Sequence, residues 1–277
     1  MTYLELVIDF KQKYPWNDIA VALFAELNFD GFDLSNNVFK AYIDQDKIDK
    51  NQVERVLDDL LKQTRFDYKV NRIEQKNWNE VWESSFSPVS IENKLHILAP
   101  FHNHENLEGI KIFIEPKMSF GTGHHPTTYL MCKHILKMDL NSKTLLDMGS
   151  GTGILSILAE YYNAKEIVSV EIDTGAFENL KENISKNRSK RITCLNGSFE
   201  IVQKQKFDVI LANINKNILL ENFSNFDLNS NVGTELVLSG FLLSDKNELI
   251  GMAEQYKFSK TYEDSMDEWL LLSFQKN

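Results

Sequence analysis

Leu145-Leu146-Asp147-Met148-Gly149-Ser150-Gly151-Thr152-Gly153-Ile154-Leu155 reads as a buried strand, a glycine-rich turn and the start of a helix. Glycines at alternate positions let the backbone take dihedrals closed to other residues and pass close to a ligand. A helix beginning behind such a turn aims free N–H groups and the positive end of its dipole at that ligand. A second apolar run, Ile167-Val168-Ser169-Val170, ends at Glu171, twenty-two residues beyond Gly149. An acid about 20 positions after a glycine turn is where a nucleotide-type cofactor places its ribose hydroxyls.

The turn is not a dinucleotide fingerprint. That pattern wants glycine or alanine where this chain has Ile154, and its third glycine arrives one residue later than Gly153. Asp147, two residues before the first glycine, is placed to meet a polar or cationic group. The glycines at 149, 151 and 153 behind an acid resemble the first motif of Rossmann-like, S-adenosylmethionine-dependent methyltransferases. That resemblance implies a cofactor with a sulfonium cation and a free amine rather than a pyrophosphate.

Composition narrows the class. A chain of 277 residues with 43% apolar content can bury two cores. Its formal net charge of −10 argues against non-specific binding to a nucleic-acid backbone, which needs clustered Lys and Arg. Cys132 and Cys194 lie far apart in sequence, have no metal-type spacing and read as reduced thiols, as in the cytoplasm. Glu5 and Asp9 interrupt the first apolar stretch, which excludes a signal peptide there, and every apolar run is too short to span a membrane. A cytoplasmic monomer is expected, with no DNA and no membrane partner.

The pattern along residues 1–76 reads β-α-β-β-α-β. Strands are expected at Tyr3 to Asp9, Gly31 to Asn36, Val38 to Ile43 and Phe66 to Glu74. Helices are expected at Asp18 to Leu27 and Gln52 to Leu61. That order predicts a small α+β, ferredoxin-like domain. Residues 77–94 read as a linker, with Trp78 and Trp82 on one face of a short helix that packs on a neighbour. Residues 95–277 read as the α/β domain. Strand-like runs at Leu95–Ala99 and Gly109–Glu115 are followed by alternating strand and helix patterns from Thr144 onward. Runs at Thr234–Ser239 and Glu268–Phe274 close the sheet. Such alternation predicts parallel βαβ units with ligands at the carboxyl ends of the strands, which brings Gly149, Glu171 and Asn213 to one rim. Asn213 ends the run Phe207-Asp208-Val209-Ile210-Leu211-Ala212, and its amide both accepts and donates.

Phe120-Gly121-Thr122-Gly123-His124-His125-Pro126-Thr127-Thr128 is the other unusual segment. Its glycines and threonines predict a loop that folds onto a ligand and then enters a helix at Pro126. The adjacent histidines cannot easily share an ion, and no Cys or carboxylate lies at ligand spacing, so no metal site is expected. Nor does the loop carry the Lys-Ser/Thr of a phosphate loop.

Taken with Leu146 to Ile154 and Leu211-Ala212-Asn213-Ile214, this loop resembles one family closely. It is the family of bacterial methyltransferases that modify the eleventh protein of the large ribosomal subunit. The resemblance covers about residue 77 to the end, and the first domain only in size and element order. It implies methyl transfer from S-adenosylmethionine to lysine ε-amines and the N-terminal amine of that protein. It also implies cofactor contacts at Thr128, Gly149, Glu171 and Asn213, joined from the motif reading by Gly151 and Asp147. Asn213 would orient the target amine, and His124 or His125 could relay its proton. The first domain would grip the substrate and the linker would swing the catalytic domain. The chain departs from the family at His124, usually Thr, at Asn215, usually Leu, and at Glu171, more often Asp. The competing expectations are a different S-adenosylmethionine-dependent amine or RNA methyltransferase, and a non-catalytic cofactor-binding regulator.

Overall fold

A computed structural model describes residues 3–34, 38–73, 86–202 and 205–277. The chain divides into two compact units, residues 1–86 and 87–277. Trp78 and Trp82, and with them the expected linker helix, lie outside the described residues.

The first unit holds β1 (Tyr3–Phe10), α1 (Trp16–Ala25), β2 (Gly31–Asp33), β3 (Phe39–Asp44), α2 (Lys50–Gln63) and β4 (Phe66–Ile73). The strands form an antiparallel sheet in the order β2-β3-β1-β4. Alternation sorts its faces. Leu6, Ile8 and Phe10 join Phe39, Ala41 and Ile43 in one core with Phe24, Leu57 and Leu60 of the helices. The Asp49 side chain caps α2 by accepting from the backbone of Asn51 and Gln52. On the opposite face Glu5 accepts from Asn71 at 2.7 Å and Tyr42 at 3.2 Å and pairs with Lys40. The sheet is ferredoxin-like, as the element order predicts.

The second unit opens with β5 (Val89–Ile91), β6 (Leu95–Leu98) and β7 (Ile110–Phe113), a three-stranded sheet. Residues 87–94, read from sequence as part of the connection, thus include a strand of this unit. Then come α3 (Pro126–Ile135), β8 (Thr144–Met148), α4 (Ile154–Tyr161), β9 (Glu166–Glu171), α5 (Thr174–Lys186), β10 (Ile192–Asn196) and β11 (Phe207–Asn213). The chain closes with α6 (Lys216–Glu221), α7 (Phe223–Leu228), β12 (Ser230–Leu242), α8 (Lys246–Gln255), β13 (Phe258–Met266) and β14 (Trp269–Lys276).

The main sheet runs β10-β9-β8-β11-β12-β14-β13. Neighbours from β10 to β12 are parallel, and β14 is antiparallel to both β12 and β13. The reversed strand β14 therefore departs from the all-parallel expectation. β13 gave little sequence signal because it is a polar edge strand in which only Phe258 is fully buried. Strand order reverses between β8 and β11, and a crevice opens at the carboxyl ends of strands at such a switch point. Leu145, Val209 and Leu211 pack on one face with α3 and α4, while Leu146, Met148 and Ile210 pack on the other. Among the described residues no helix is long and apolar enough to cross a membrane.

Candidate active site

The glycine turn uses up its own donors. Gly149 and Ser150 donate to the Val170 carbonyl, Thr152 to the Phe120 carbonyl and Gly153 to the Ser150 carbonyl. Gly151 donates to Glu171 Oε2 at 2.8 Å. A turn whose N–H groups are all engaged is a poor nest for a pyrophosphate, which needs several of them free. Glycine is required at Gly149 and Gly151 by the protein itself. Both have positive φ, +71° and +53°. A Cβ would stand 2.3 Å from Ile214 Cγ2 at the first and 2.3 Å from the Phe120 carbonyl oxygen at the second.

A cavity of about 480 Å³ lies against this turn at the switch point. Gly149, Gly151, Glu171 and Asn213 all line it, so the rim foreseen from spacing is brought together. Glu171 is 8% exposed and accepts one backbone N–H on each oxygen, from Gly151 and from Asp173 at 2.9 Å. Each oxygen keeps a second lone pair for a hydroxyl. Asn213 donates through Nδ2 to Thr128 Oγ1 at 3.4 Å, and its Oδ1 is buried with no partner among the described residues. A buried acceptor left unmade costs about 1–3 kcal/mol, so Oδ1 is poised for an N–H donor.

Two expected cofactor contacts are placed elsewhere. Thr128 is fully buried behind Asn213 and its neighbour Thr127 lines the cavity instead. Asp147 is also fully buried and shares the strand face of Leu145, because side chains alternate across β8. Its carboxylate accepts from the Ser156 hydroxyl at 2.6 Å and from the Ser156 backbone, so it caps the α4 end that Gly153 leaves without a side chain. Burial, with Glu171 nearby, pushes its carboxyl up to about 7.

The 120–128 segment is fastened rather than loose. Thr152 donates its backbone N–H to Phe120 and its hydroxyl to the Gly121 carbonyl at 2.5 Å. His124 faces away from the cavity, bonding Thr122 and the Ser87 carbonyl. His125 lines the cavity and caps α3, its Nδ1 accepting from the Thr127 backbone at 3.3 Å. Nδ1 is thus an acceptor, which puts the proton of the neutral ring on Nε2. Burial holds this histidine below its ordinary range, and it sits between Phe120 and Trp269 with ring centroids at 5.2 and 4.5 Å. Among the described residues no group of His, Cys, Asp or Glu fits a metal ion.

Sequence reasoning missed several walls of the cavity: Met118, Ile172, Ile218, Gly240 and Trp269. They come from five separate segments, and only topology gathers them. Ile172 is 72% exposed and follows Glu171 directly, which was the one local signal available. Asn215, the family departure, also lines the cavity and caps α6 through its own side-chain oxygen.

A seven-stranded sheet with an antiparallel final hairpin, a glycine turn at its switch point and an acid ending the next strand defines a class I, Rossmann-like methyltransferase. The family model described as "Ribosomal protein L11 methyltransferase (PrmA)" matches residues 17–277. A ribosomal protein L11 methyltransferase of Phocaeicola vulgatus is 35% identical over 261 residues, 93% of each chain. One of Porphyromonas gingivalis is 35% identical over 260 residues, 93% of this chain and 90% of that one. The crystal structure of a ribosomal protein L11 methylase from Lactobacillus delbrueckii subsp. bulgaricus superposes with a TM-score of 0.64 at 24% identity. It covers 69% of this chain and 100% of that one. The chain belongs to the ribosomal protein L11 methyltransferase family.

Proposed function

We propose that this chain transfers methyl groups from S-adenosylmethionine to amines of ribosomal protein L11, the lysine ε-amines and the N-terminal amine. The observation that carries the reading is the unpartnered Asn213 Oδ1 at a cavity walled by the glycine turn and Glu171. The residues fit the cofactor: the turn has no free donors for phosphate, and Glu171 retains lone pairs for ribose hydroxyls. Gly149, Gly151 and Glu171 would hold it, with Asn213 shared between cofactor and target. Bound there, the cofactor supplies a methyl carbon activated by its sulfonium.

The protein's part is positioning. The attacking nitrogen must be neutral, and a free lysine amine has a pKa of about 10.4. Phe120, Trp269, Ile172 and Ile218 give the cavity apolar walls, and an amine seated against them is disfavoured as an ammonium, while Glu171 and Asp173 on the same lining act in the opposite sense. Asn213 Oδ1 accepts an N–H of the neutral amine and turns its lone pair toward the methyl carbon. Thr128 fixes the amide in that orientation. His125, neutral with its proton on Nε2, offers an N–H to a carbonyl or carboxylate rather than taking a proton. The released proton leaves with solvent.

Residues 1–76 are proposed as the substrate-binding domain, 77–94 as the connection and 95–277 as the catalytic domain, working as a monomer in the cytoplasm. Methyl transfer from labelled cofactor to purified large-subunit proteins tests the reading. Label confined to ribosomal protein L11 supports it. Label on RNA, or cofactor binding without turnover, refutes it.

A further inference from the structure

The acidity of the chain hides a local reversal of sign. At the amino ends of β8, β9 and β10, opposite the cavity, three turns come together. Backbone bonds knit them: Ser142 donates to the Asn163 carbonyl at 3.1 Å and Lys165 to the Lys143 carbonyl at 2.7 Å. Ile167 donates to the Arg191 carbonyl at 2.9 Å. Lys143, Lys165, Arg188, Lys190 and Arg191 project from these turns, all exposed. Among the described residues none of the five makes an ion pair, although the chain carries ten more acids than bases.

The nearby acids are largely engaged. Glu160 accepts from the backbone N–H groups of Lys190 and Arg191, each at 2.8 Å. Asp208 accepts from the backbone and hydroxyl of Thr144. Asp208 also attracts Lys143 and Lys165, and Glu235 attracts Lys143. Asp139, which accepts from the Asn141 backbone, and Glu166, at the start of β9, are further carboxylates near this end. A cavity of about 330 Å³ opens here, lined by Asn141, Ser142, Asn163, Lys165 and Arg191 and by no carboxylate. Two cations, two amides and a hydroxyl form a donor set that matches phosphate oxygens. The Arg191 guanidinium is steadied by its bond to the Ala164 carbonyl at 3.1 Å.

We propose that this amino-end cleft is a phosphate-binding site, distinct from the methyl-transfer cavity at the other end of the same strands. The five residues of β8 alone separate the two by about 17 Å. Cations spread over three turns favour the repeated phosphates of a polynucleotide backbone, and a free phosphate is the alternative source of the same group. The site attracts and orients; it performs no chemistry.

The test is fluorescence anisotropy of a short fluorescein-labelled RNA duplex titrated with the full chain. Three phosphate contacts predict an affinity falling about 40-fold between about 50 and about 200 mM salt. The charge-reversal variant Lys165→Glu/Arg191→Glu is expected to bind at least ~10-fold more weakly. Lys143→Glu/Lys190→Glu, whose native side chains make no hydrogen bond among the described residues, keeps the test valid if the first variant folds poorly. Broadening of the inorganic phosphate NMR line by the wild type, lost in the variants and without RNA binding, assigns the site to free phosphate. Methyl transfer to isolated ribosomal protein L11 stays within about twofold in both variants, which separates this site from the functional reading. Wild-type chain that binds neither probe at about 50 mM salt, or variants that bind as tightly as wild type, overturns the proposal.

Discussion

The two ends of β8, β9 and β10 are made from the same strands and carry opposite surfaces. The carboxyl end forms a cavity with aromatic and aliphatic walls, the carboxylates Glu171 and Asp173, a histidine held below its ordinary range by burial and an amide oxygen without a partner among the described residues. The amino end carries five exposed cations around a polar cleft. A parallel sheet makes this division natural, because every crossover returns the chain to the same end and each end collects its own set of loops. An end with apolar walls and acids but no Lys or Arg in its cavity suits an amine and a cationic cofactor, and a basic end suits attraction of an anion. The carboxyl end is where substitutions should abolish catalysis.

The largest effect is expected at Asn213. Asn213→Ala removes the unpartnered acceptor and should lower kcat by about 100-fold or more. Among the described residues its side chain makes one hydrogen bond, a long one of 3.4 Å, so the melting temperature should barely move. Labelled methyl transfer beside a thermal melt checks both. A variant retaining half its activity would show that the amide does not hold the amine.

Gly151→Ala comes next. The new methyl group meets the Phe120 carbonyl at 2.3 Å from a backbone with φ of +53°, so turn and loop must separate. A stability loss of about 1–3 kcal/mol and at least ~10-fold weaker cofactor binding by calorimetry are expected. Unchanged cofactor affinity would detach the turn from the site.

Asp147 links the rim to the core through pH. Its folded carboxyl is raised to about 7 from an ordinary 3.8. The stability it contributes is therefore full below about pH 4 and is lost as the pH rises through 7. Glu235 and Asp264 are shifted down and act in the opposite sense, below about pH 4. Between those limits Asp147 lowers the melting temperature as the pH rises, while His125, held below its ordinary range, acts the other way below about pH 6.5. The test is therefore the difference between proteins: Asp147→Asn should make the slope more positive than in the wild type. Equal slopes in the two proteins would contradict the assignment.

The smallest effect is expected on folding at His125. In His125→Asn the amide oxygen takes over the α3 cap from Nδ1, so the melting temperature should stay within a few degrees. The distal N–H is lost, so KM should rise while the shape of the pH–rate profile is unchanged. Loss of an inflection near neutral pH would make this histidine a base after all.

The same contrast explains what was legible in the sequence. Glycine spacing and short apolar runs are local signals, so the turn, Glu171 and Asn213 could be set on one rim in advance. Asp147 was misread because the glycine motif says nothing of which face of β8 a side chain takes. Alternation puts it with Leu145 against α4, where it caps a helix. Trp269 was invisible for another reason: it reaches the site through an antiparallel return strand whose partner, β13, is a polar edge with almost no hydrophobic alternation. The five cations were hidden by arithmetic, since an overall charge of −10 carries no information on where the bases gather.

The central claim is tested most directly by the intact mass of purified ribosomal protein L11 before and after incubation with this chain and S-adenosylmethionine. The predicted result is a rise by whole CH2 increments, absent when Asn213→Ala replaces the wild type. An unchanged mass with the wild-type chain, in the presence of cofactor shown to bind, would contradict it.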